Sequence, residues 1–135
     1  MKQKIKNGFT LVELIVVITI IAVISTMALI SFTGTNRKAR DARRISDMQK
    51  IAIALEMMRQ VISMYPPAAS SQPVGLVPNY LQAWPTDPKG YSYVYTQIDN
   101  YHYAVYGYME DLGSTNTTTA ISCIGGNCNY KITNP

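Results

Sequence analysis

The feature that most constrains this chain is an apolar segment, residues 9–32, in which Glu13 is the one charged residue. As an α-helix rising about 1.5 Å per residue, the segment would be roughly 36 Å long, whereas the apolar core of a bilayer is about 30 Å thick. The segment is therefore predicted to be a helix long enough to cross a membrane. A carboxylate in such surroundings must be paired or protonated, yet the segment contains no Lys or Arg that could pair with Glu13.

Residues 1–8 form a basic stretch with three lysines and no acid, and it ends at Gly8, immediately before the apolar segment. An ordinary secretory signal is cleaved after its apolar region, but here the small residue lies in front of it. Cleavage between Gly8 and Phe9 would remove residues 1–8 as a leader and keep the apolar helix. It would also create an ammonium group on Phe9, about one helical turn from Glu13.

The junction between the two stretches reads Lys6-Asn7-Gly8-Phe9-Thr10-Leu11-Val12-Glu13. It resembles the class III leader of type IV prepilins and pseudopilins. The resemblance implies that a prepilin peptidase cuts after Gly8 and methylates the amine of Phe9. It also implies that Glu13 pairs with the Phe9 amine of a neighbouring subunit, so that the apolar helix becomes the core of a helical filament. The alternative is an uncleaved signal anchor whose Glu13 lies at the level of the lipid headgroups.

The same resemblance implies partners and a location. The partners are copies of the same chain, other pilins, the prepilin peptidase, an inner-membrane assembly platform and membrane lipid. The chain would lie in the cytoplasmic (inner) membrane before assembly and in a cell-surface or extracellular filament, a fimbrium, afterwards. A DNA-uptake pilus would add nucleic acid as a partner, a question that the residues leave open. No cofactor is implied.

A cluster of cations follows the apolar segment, consisting of Arg37, Lys38, Arg40, Arg43 and Arg44, with Asp41 among them. We predict that they form a solvated helix face, and the alternatives are contact with anionic lipid headgroups or with acidic patches of adjacent subunits. Three of the twelve Lys and Arg lie in the leader, so cleavage would reduce the formal charge from +4 to +1. Nucleic-acid binding therefore does not follow from the basic pI.

Residues 33–65 are predicted to form an amphipathic helix that continues from the apolar segment. Pro66 and Pro67 cannot extend a helix, so its end is predicted near Tyr65. Apolar residues that recur at intervals of three and four lie on one helix face, which we expect to pack on the rest of the chain. They are Met48, Ile51, Leu55, Met58 and Ile62.

Residues 66–135 are predicted to form a small antiparallel β-sheet domain. Tyrosines alternate with other residues in 91–95 and again in 101–106, and a turn at Asp99-Asn100 between these runs completes the pattern of a hairpin. The predicted fold is therefore α+β, with the long N-terminal helix packed on a small antiparallel sheet. The chain has ten tyrosines. We expect them to serve packing, because tyrosine covers apolar surface while its hydroxyl stays wet.

Two further elements resemble the major pseudopilins of type II secretion. They are Tyr65-Pro66 and the run Pro85-Thr86-Asp87-Pro88-Lys89-Gly90-Tyr91-Ser92-Tyr93. Major pseudopilins also resemble one another in a C-terminal calcium loop, which Glu110 and Asp111 could begin here. Calcium takes about 6 to 8 oxygen ligands, and this loop contains no further acids. The sequence therefore predicts no metal site.

Cys123 and Cys128 are the two cysteines of the chain, and Gly125 and Gly126 between them allow a tight turn. In an exported chain this spacing favours a small disulfide loop, which would stabilise the folded tail by about 2 kcal/mol in the chain-entropy model. Two thiols alone make an incomplete zinc site. A disulfide near the C-terminus is similar to that of many type IV pilins and is less usual in major pseudopilins.

The sequence contains no nucleophile elbow, phosphate loop or paired carboxylates, so we expect no enzyme. His102 is the one histidine, which makes a metal or catalytic role for it unfavourable. The predicted function is that of a structural subunit of a type IV pilus or pilus-like filament. One alternative is a pseudopilin of a type II secretion or DNA-uptake system. The other is a membrane-anchored monomeric protein that binds through its tyrosines and needs no cleavage at Gly8.

Overall fold

This computed structural model describes residues 8–134, and within that range the side chains of residues 27–31 are not described. Residues 1–7 of the predicted leader therefore lie outside the described residues. The same holds for the side chains of residues 27–31 in the predicted apolar helix.

One α-helix, α1, spans Leu11–Ile62. Its first residues follow Thr10, whose short polar side chain suits the position before a helix. The Glu13 N–H donates to Thr10 Oγ1 over 3.2 Å, and the Leu14 N–H donates to the Thr10 carbonyl over 3.2 Å. Thr10 thus satisfies backbone donors that the first helical turn leaves without an intrahelical acceptor.

The end of α1 lies slightly before the predicted end near Tyr65. Ser63 adopts a φ of 61°, in the left-handed region, and its N–H donates to the Arg59 carbonyl over 2.8 Å. A left-handed residue directly after the last helical turn is a common way for a helix to stop. Pro66 then prevents any continuation.

The chain divides into two units, Met1–Asn36 and Arg37–Pro135, which are described separately. In the first unit, the large apolar side chains that the structure describes are exposed, with fractions from 45% at Val17 to 82% at Phe9. The others are Leu11, Val12, Leu14, Ile15, Val16, Ile18, Ile20, Ile21, Val23, Ile24 and Phe32.

Among the residues that the structure describes, no helix combines the length and the apolarity needed to cross a membrane.

The second unit contains the strands. A two-stranded antiparallel sheet is formed by β1 and β2, and a three-stranded antiparallel sheet has the order β3-β4-β5. A short 3₁₀ helix, η1, lies between β4 and β5. The bounds are β1 Ala68–Ala69, β2 Gln72–Pro73, β3 Val94–Asp99, β4 His102–Gly107, η1 Leu112–Ser114 and β5 Tyr130–Thr133.

The predicted hairpin is present as β3 and β4, with its first strand beginning at Val94 rather than at residue 91. The register shifts between Gln97 and Asp99, and the Asp99 carboxylate accepts the Tyr101 N–H over 2.7 Å in the turn. The sequence did not predict β5, which pairs with β4 so that Val105 lies opposite Ile132.

Both outer edges of the three-stranded sheet carry additional hydrogen bonds. On the β3 edge, the Tyr95 N–H donates to the Ser71 carbonyl over 2.9 Å. On the β5 edge, the Asn116 amide donates to the Lys131 carbonyl over 2.9 Å and accepts the Lys131 N–H over 2.8 Å. The Asn116 side chain therefore makes the paired bonds that a neighbouring strand would make.

The core of the second unit lies between the second part of α1 and the three-stranded sheet. The predicted stripe on α1 is buried at Met48, Ile51, Leu55 and Met58. The prediction is wrong for Ile62, which is exposed in the last turn of α1. Four of the tyrosines are also buried, and two of them, Tyr65 and Tyr103, meet edge to face with their ring centroids 4.6 Å apart. The other two are Tyr93 and Tyr95. The predicted α+β fold, with a long N-terminal helix packed on a small antiparallel sheet, is thus confirmed.

Candidate assembly site

The predicted processing residues lie at the start of α1. Gly8 is exposed, and Phe9 has 82% of its surface exposed. Glu13 lies in the first turn of α1, where the helix dipole favours a negative charge. Among the described residues Glu13 makes no ion pair. An amine supplied from outside the chain could therefore pair with it, and cleavage after Gly8 remains a prediction.

A second exposed surface lies on the part of α1 that belongs to the second unit. It is uncharged over five helical steps, and we call it the uncharged face. Ile53 is 61% exposed and Met57 is 44% exposed on it, so apolar side chains contact solvent there. The face consists of Ala42, Ser46, Gln49, Ile53, Met57 and Gln60, all exposed and spaced by three or four residues. Ile53 and Met57 are neighbours on this face, one helical turn apart, so it offers apolar surface without a competing charge.

Arg44 is the most buried of the predicted cationic cluster, and it is fully buried at 0% exposure. Its Nη1 lies 2.6 Å from Asp41 Oδ1 and 2.9 Å from Glu110 Oε1. Its Nε donates to Asp87 Oδ2, and its Nη2 donates to Asp87 Oδ1 over 3.2 Å. One guanidinium therefore joins α1 to two loops that are distant in sequence.

Arg40 binds one of the same carboxylates, that of Glu110, from the surface side. Its Nε and Nη2 donate to the two oxygens of Glu110 over 2.7 and 2.6 Å, which is a bidentate pair. Lys89 Nζ lies 3.5 Å from Glu110 as well. The hydrogen bond from Arg40, followed by that from Arg44, lowers the pKa of Glu110 to about 2 although partial burial opposes the shift.

The electrostatics of Arg44 explain how a buried charge is tolerated. Burial alone lowers the pKa of Arg44, but hydrogen bonds to Asp87, Asp41 and Glu110 outweigh it and raise that pKa. A buried cation is costly unless its donors are all paired. We call Arg40, Arg44 and their carboxylate partners Asp41, Asp87 and Glu110 the ionic cluster. All five residues belong to the second unit and bind one another there.

The prediction of a solvated helix face for the cations is therefore wrong for Arg40 and Arg44. Asp87 and Glu110, which bind them, lie 43 and 70 residues away in sequence from Arg44 and Arg40 respectively. Local spacing cannot reveal such partners. Arg37 and Lys38, in contrast, are exposed, as the prediction had it.

The run from Pro85 to Tyr93 supplies the turn that holds Asp87 in place. The Asp87 Oδ1 accepts the Lys89 N–H over 2.6 Å and the Tyr91 N–H over 3.3 Å. The Gly90 N–H donates to the Asp87 carbonyl over 3.1 Å, and Gly90 adopts a φ of 78°, which glycine allows at low cost. Asp87 thus folds its own turn while it binds Arg44.

Glu110 and Asp111, the residues that could have begun a calcium loop, are committed to other contacts. Their N–H groups donate to the Asp41 carboxylate over 3.1 and 2.8 Å. The Asp111 side chain also accepts the Gly113 N–H over 3.3 Å and so caps η1. Within residues 8–134, no group of three or more His, Cys, Asp or Glu side chains is arranged to hold a metal ion.

Cys123 and Cys128 form a disulfide, with their Cα atoms 5.2 Å apart. The Cys123 N–H donates to the Gly126 carbonyl over 2.9 Å, and the Cys123 carbonyl accepts the Ser92 N–H over 3.0 Å. The loop is thereby attached to the segment that leads into β3. Gly125 has a φ of 106°, and a Cβ there would lie 2.4 Å from the Tyr91 ring, so a larger residue would not fit.

Known proteins with similar sequences indicate which family the chain resembles. The family described as "Prokaryotic N-terminal methylation motif" matches residues 3–29. The chain is 27% identical to the type II secretion system core protein G of Vibrio cholerae, over 70% of this chain and 73% of that protein. It is 27% identical to the Aeromonas hydrophila protein of the same name, over 69% and 74%. The Dickeya chrysanthemi protein of that name is 26% identical, over 94% and 97%.

No solved structure matches significantly. The N-terminal methylation motif and the three relatives are consistent with a type IV pilin-like family. The similarity to core protein G of type II secretion systems confirms the resemblance to pilins and pseudopilins.

Proposed function

We propose that this chain is a structural subunit, without enzymatic activity, of a pilin-like filament that acts in type II secretion. The observation that carries the proposal is the match of residues 3–29 to the N-terminal methylation motif. The three relatives named as type II secretion core proteins favour secretion over a surface pilus. The function is therefore assembly, not catalysis.

The first step of the proposed mechanism is processing by a prepilin peptidase. Hydrolysis of the Gly8–Phe9 peptide bond releases residues 1–8 and leaves a free amine on Phe9. The same enzyme then transfers a methyl group to that amine from a sulfonium methyl donor, which leaves as the thioether while the amine loses a proton. Gly8 and Phe9 are exposed, so a protease could reach the bond. The amine remains cationic after methylation, and it is the one positive charge near the start of the apolar helix.

The second step is pairing between subunits. Glu13 makes no ion pair within residues 8–134, and the Phe9 amine of a neighbouring copy supplies the missing cation. Removing one member of a buried ion pair costs about 3 to 5 kcal/mol. A subunit added out of register would leave Glu13 unpaired, so the pairing selects the correct position over other apolar contacts.

The third step is burial of apolar surface. The apolar side chains described in residues 9–26, that of Phe32 and the uncharged face of α1 are all exposed among the described residues. Burial of such surface stabilises an assembly by about 25 cal/mol for each Å² removed from water. Before assembly, lipid of the inner membrane covers the apolar helix, and an assembly platform there delivers the subunit to the growing filament.

A type IV pilus is the second candidate, because the Cys123–Cys128 disulfide lies close to the C-terminus. In that case the same filament would extend from the cell surface. The processing and the pairing of Glu13 would be unchanged. The two candidates differ in filament length and in location.

The test is intact-mass measurement and N-terminal sequencing of the chain from its native membrane and from a sheared surface fraction. We expect the mature chain to begin at methylated Phe9. Recovery of that chain in the sheared fraction supports a pilus, and its confinement to the cell envelope in short filaments supports the secretion role. A chain that begins at Met1 and stays monomeric in the membrane would overturn the proposal and leave the anchored binding protein.

A Glu13→Gln variant examines the pairing step, with Glu56→Gln as a matched control that makes the same change at a glutamate of α1 outside the uncharged face. Because glutamine keeps the shape of glutamate without its charge, Glu13→Gln should still be cleaved after Gly8 but should fail to assemble. Normal assembly of Glu13→Gln would contradict the proposed role of Glu13. Loss of cleavage in the variant would place its role in processing instead.

A further inference from the structure

The cations of this chain differ in whether they have a partner. Among residues 8–134, six of the nine Lys and Arg make an ion pair with a carboxylate of the same chain. The exceptions are Arg37, Lys38 and Lys131, which make no ion pair with any described residue. Two of these three are adjacent in sequence, so the unbalanced positive charge is concentrated at Arg37 and Lys38.

The nearest acids cannot neutralise this pair. Asp41 is 1% exposed, and its carboxylate is occupied by Arg44 and by the N–H groups of Glu110 and Asp111. Glu110 is bound by Arg40 on one side and by Arg44 on the other. Arg37 and Lys38 therefore present their charge to whatever surrounds the chain.

The position of the pair along the chain limits what can surround it. Arg37 follows Phe32, the last residue of the apolar segment, by five positions, and a chain of that length reaches at most about 18 Å. On a helix the same distance is roughly 7 to 8 Å. The headgroup layer of a bilayer lies directly outside its apolar core of about 30 Å. While the apolar segment lies in a bilayer, as the proposed function requires, side chains so close to its end fall at headgroup depth.

We propose that Arg37 and Lys38 bind the phosphate groups of anionic phospholipids while the chain is associated with the membrane. This inference rests on the membrane-associated stage of the proposed function. Anionic headgroups attract nearby Lys and Arg by a favourable energy that corresponds to about fivefold in binding for each cation. The attraction extends about 8 to 10 Å at ordinary ionic strength, so it requires the closeness that the chain provides.

An acidic protein surface is the competing partner, and the observations favour lipid. The uncharged face of α1, which begins at Ala42, offers no charge that would align an acidic protein beside the pair. The apolar segment in front of the pair, by contrast, needs a cover that lipid supplies. A phospholipid carries its phosphate group next to its apolar chains, and this sequence carries Arg37 and Lys38 next to its apolar segment. One lipid can therefore contact both.

The experiment measures lipid selectivity. The purified mature chain is placed in phosphatidylcholine vesicles, and electron paramagnetic resonance compares the association of spin-labelled phosphatidylglycerol with that of spin-labelled phosphatidylcholine. We expect phosphatidylglycerol to be preferred, and the preference to fall by up to about fivefold for each cation removed in Arg37→Gln/Lys38→Gln. High salt should reduce the preference of the natural chain towards that of the variant.

Lys131→Gln is the matched control, because Lys131 is also an unpaired exposed cation but lies on β5. It should leave the preference unchanged. The charge-reversed Arg37→Glu/Lys38→Glu should exclude phosphatidylglycerol, and circular dichroism verifies that each variant is folded. Equal preference in the natural chain and the double glutamine variant would overturn the inference. Because vesicle association and N-terminal processing are measured separately, that result would leave the proposed filament function intact.

Discussion

The first and second parts of α1 share one helical backbone but differ in whether their apolar side chains are exposed or buried. Up to Phe32, the described large apolar side chains are exposed. From Asp41 to Met58, α1 buries an apolar stripe against the sheet and a guanidinium among carboxylates. The apolar side chains of the second part are therefore covered by residues of the same chain, whereas those described in the first part are not covered by any described residue.

The largest expected effect is on the ionic cluster. Arg44→Met would leave Asp41, Asp87 and Glu110 without their shared cation, and breaking a buried pair in this way costs about 3 to 5 kcal/mol. Arg43→Met is the matched control, since Arg43 is 65% exposed and lies 3.9 Å from Asp47, and it should cost less than about 1 kcal/mol. Denaturant unfolding of the full chain in detergent measures both. Equal stabilities would refute the idea that Arg44 holds the second unit together.

The two faces of α1 in the second unit offer the next comparison. Leu55→Ala removes a fully buried side chain and should destabilise the fold by about 2 to 5 kcal/mol. Ile53→Ala, two positions earlier on the uncharged face, should leave unfolding within about 0.5 kcal/mol of the natural chain. Its effect should instead be seen as reduced filament formation. If Ile53→Ala unfolded easily but assembled normally, the uncharged face would belong to the fold and not to an interface.

Acid should weaken the second unit through Glu110. Its pKa is lowered from 4.5 to about 2 in the folded chain, so the carboxylate contributes stability above pH about 4.5, and this contribution is lost as the pH falls towards 2. Glu110→Gln should lower the free energy of unfolding at neutral pH by about 1.5 to 3 kcal/mol. The variant should also show a flatter pH profile between pH 5 and 2. A profile as steep as that of the natural chain would assign the acid sensitivity to another group.

The smallest expected effect comes from the terminal loop. Reduction of the Cys123–Cys128 disulfide, or its replacement in Cys123→Ser/Cys128→Ser, should cost about 2 kcal/mol because the closed loop is short. The serine pair is unaffected by reductant, so reductant should destabilise the natural chain only. Thermal unfolding with and without reductant provides the measurement. A loss far above 2 kcal/mol would mean that the loop, through its contact with Ser92, supports the sheet more than expected.

The sequence predicted the parts whose signals are local. The interval of three and four from Met48 to Met58 predicted the buried stripe, and the alternating tyrosines predicted the hairpin. Residues 6–13 alone were sufficient for the resemblance to pilins. In each case the residues that carry the signal are neighbours in the chain or on one helix face, so periodicity and spacing reveal them.

The parts that the sequence did not predict depend on contacts between distant segments. Arg44 was placed on a solvated face because its partner Asp87 lies 43 residues away, and nothing in the spacing joins them. The strand β5 alternates between half-buried and exposed residues, but it has only four residues, the shortest length at which alternation indicates a strand. The uncharged face, in contrast, has a local signal, because uncharged residues recur at intervals of three and four from Ala42 to Gln60.

The hydrogen bonds on the two outer strands of the sheet limit strand pairing between copies of the chain that lie close together. A strand with a bare edge is a template for uncontrolled pairing between chains, and a subunit stored at high density would be exposed to that hazard. Ser71 occupies part of one edge and the Asn116 side chain occupies part of the other. Sheet-to-sheet polymerisation is thereby discouraged. In the proposed filament, copies of the chain then associate through their helices and not through the edges of their sheets.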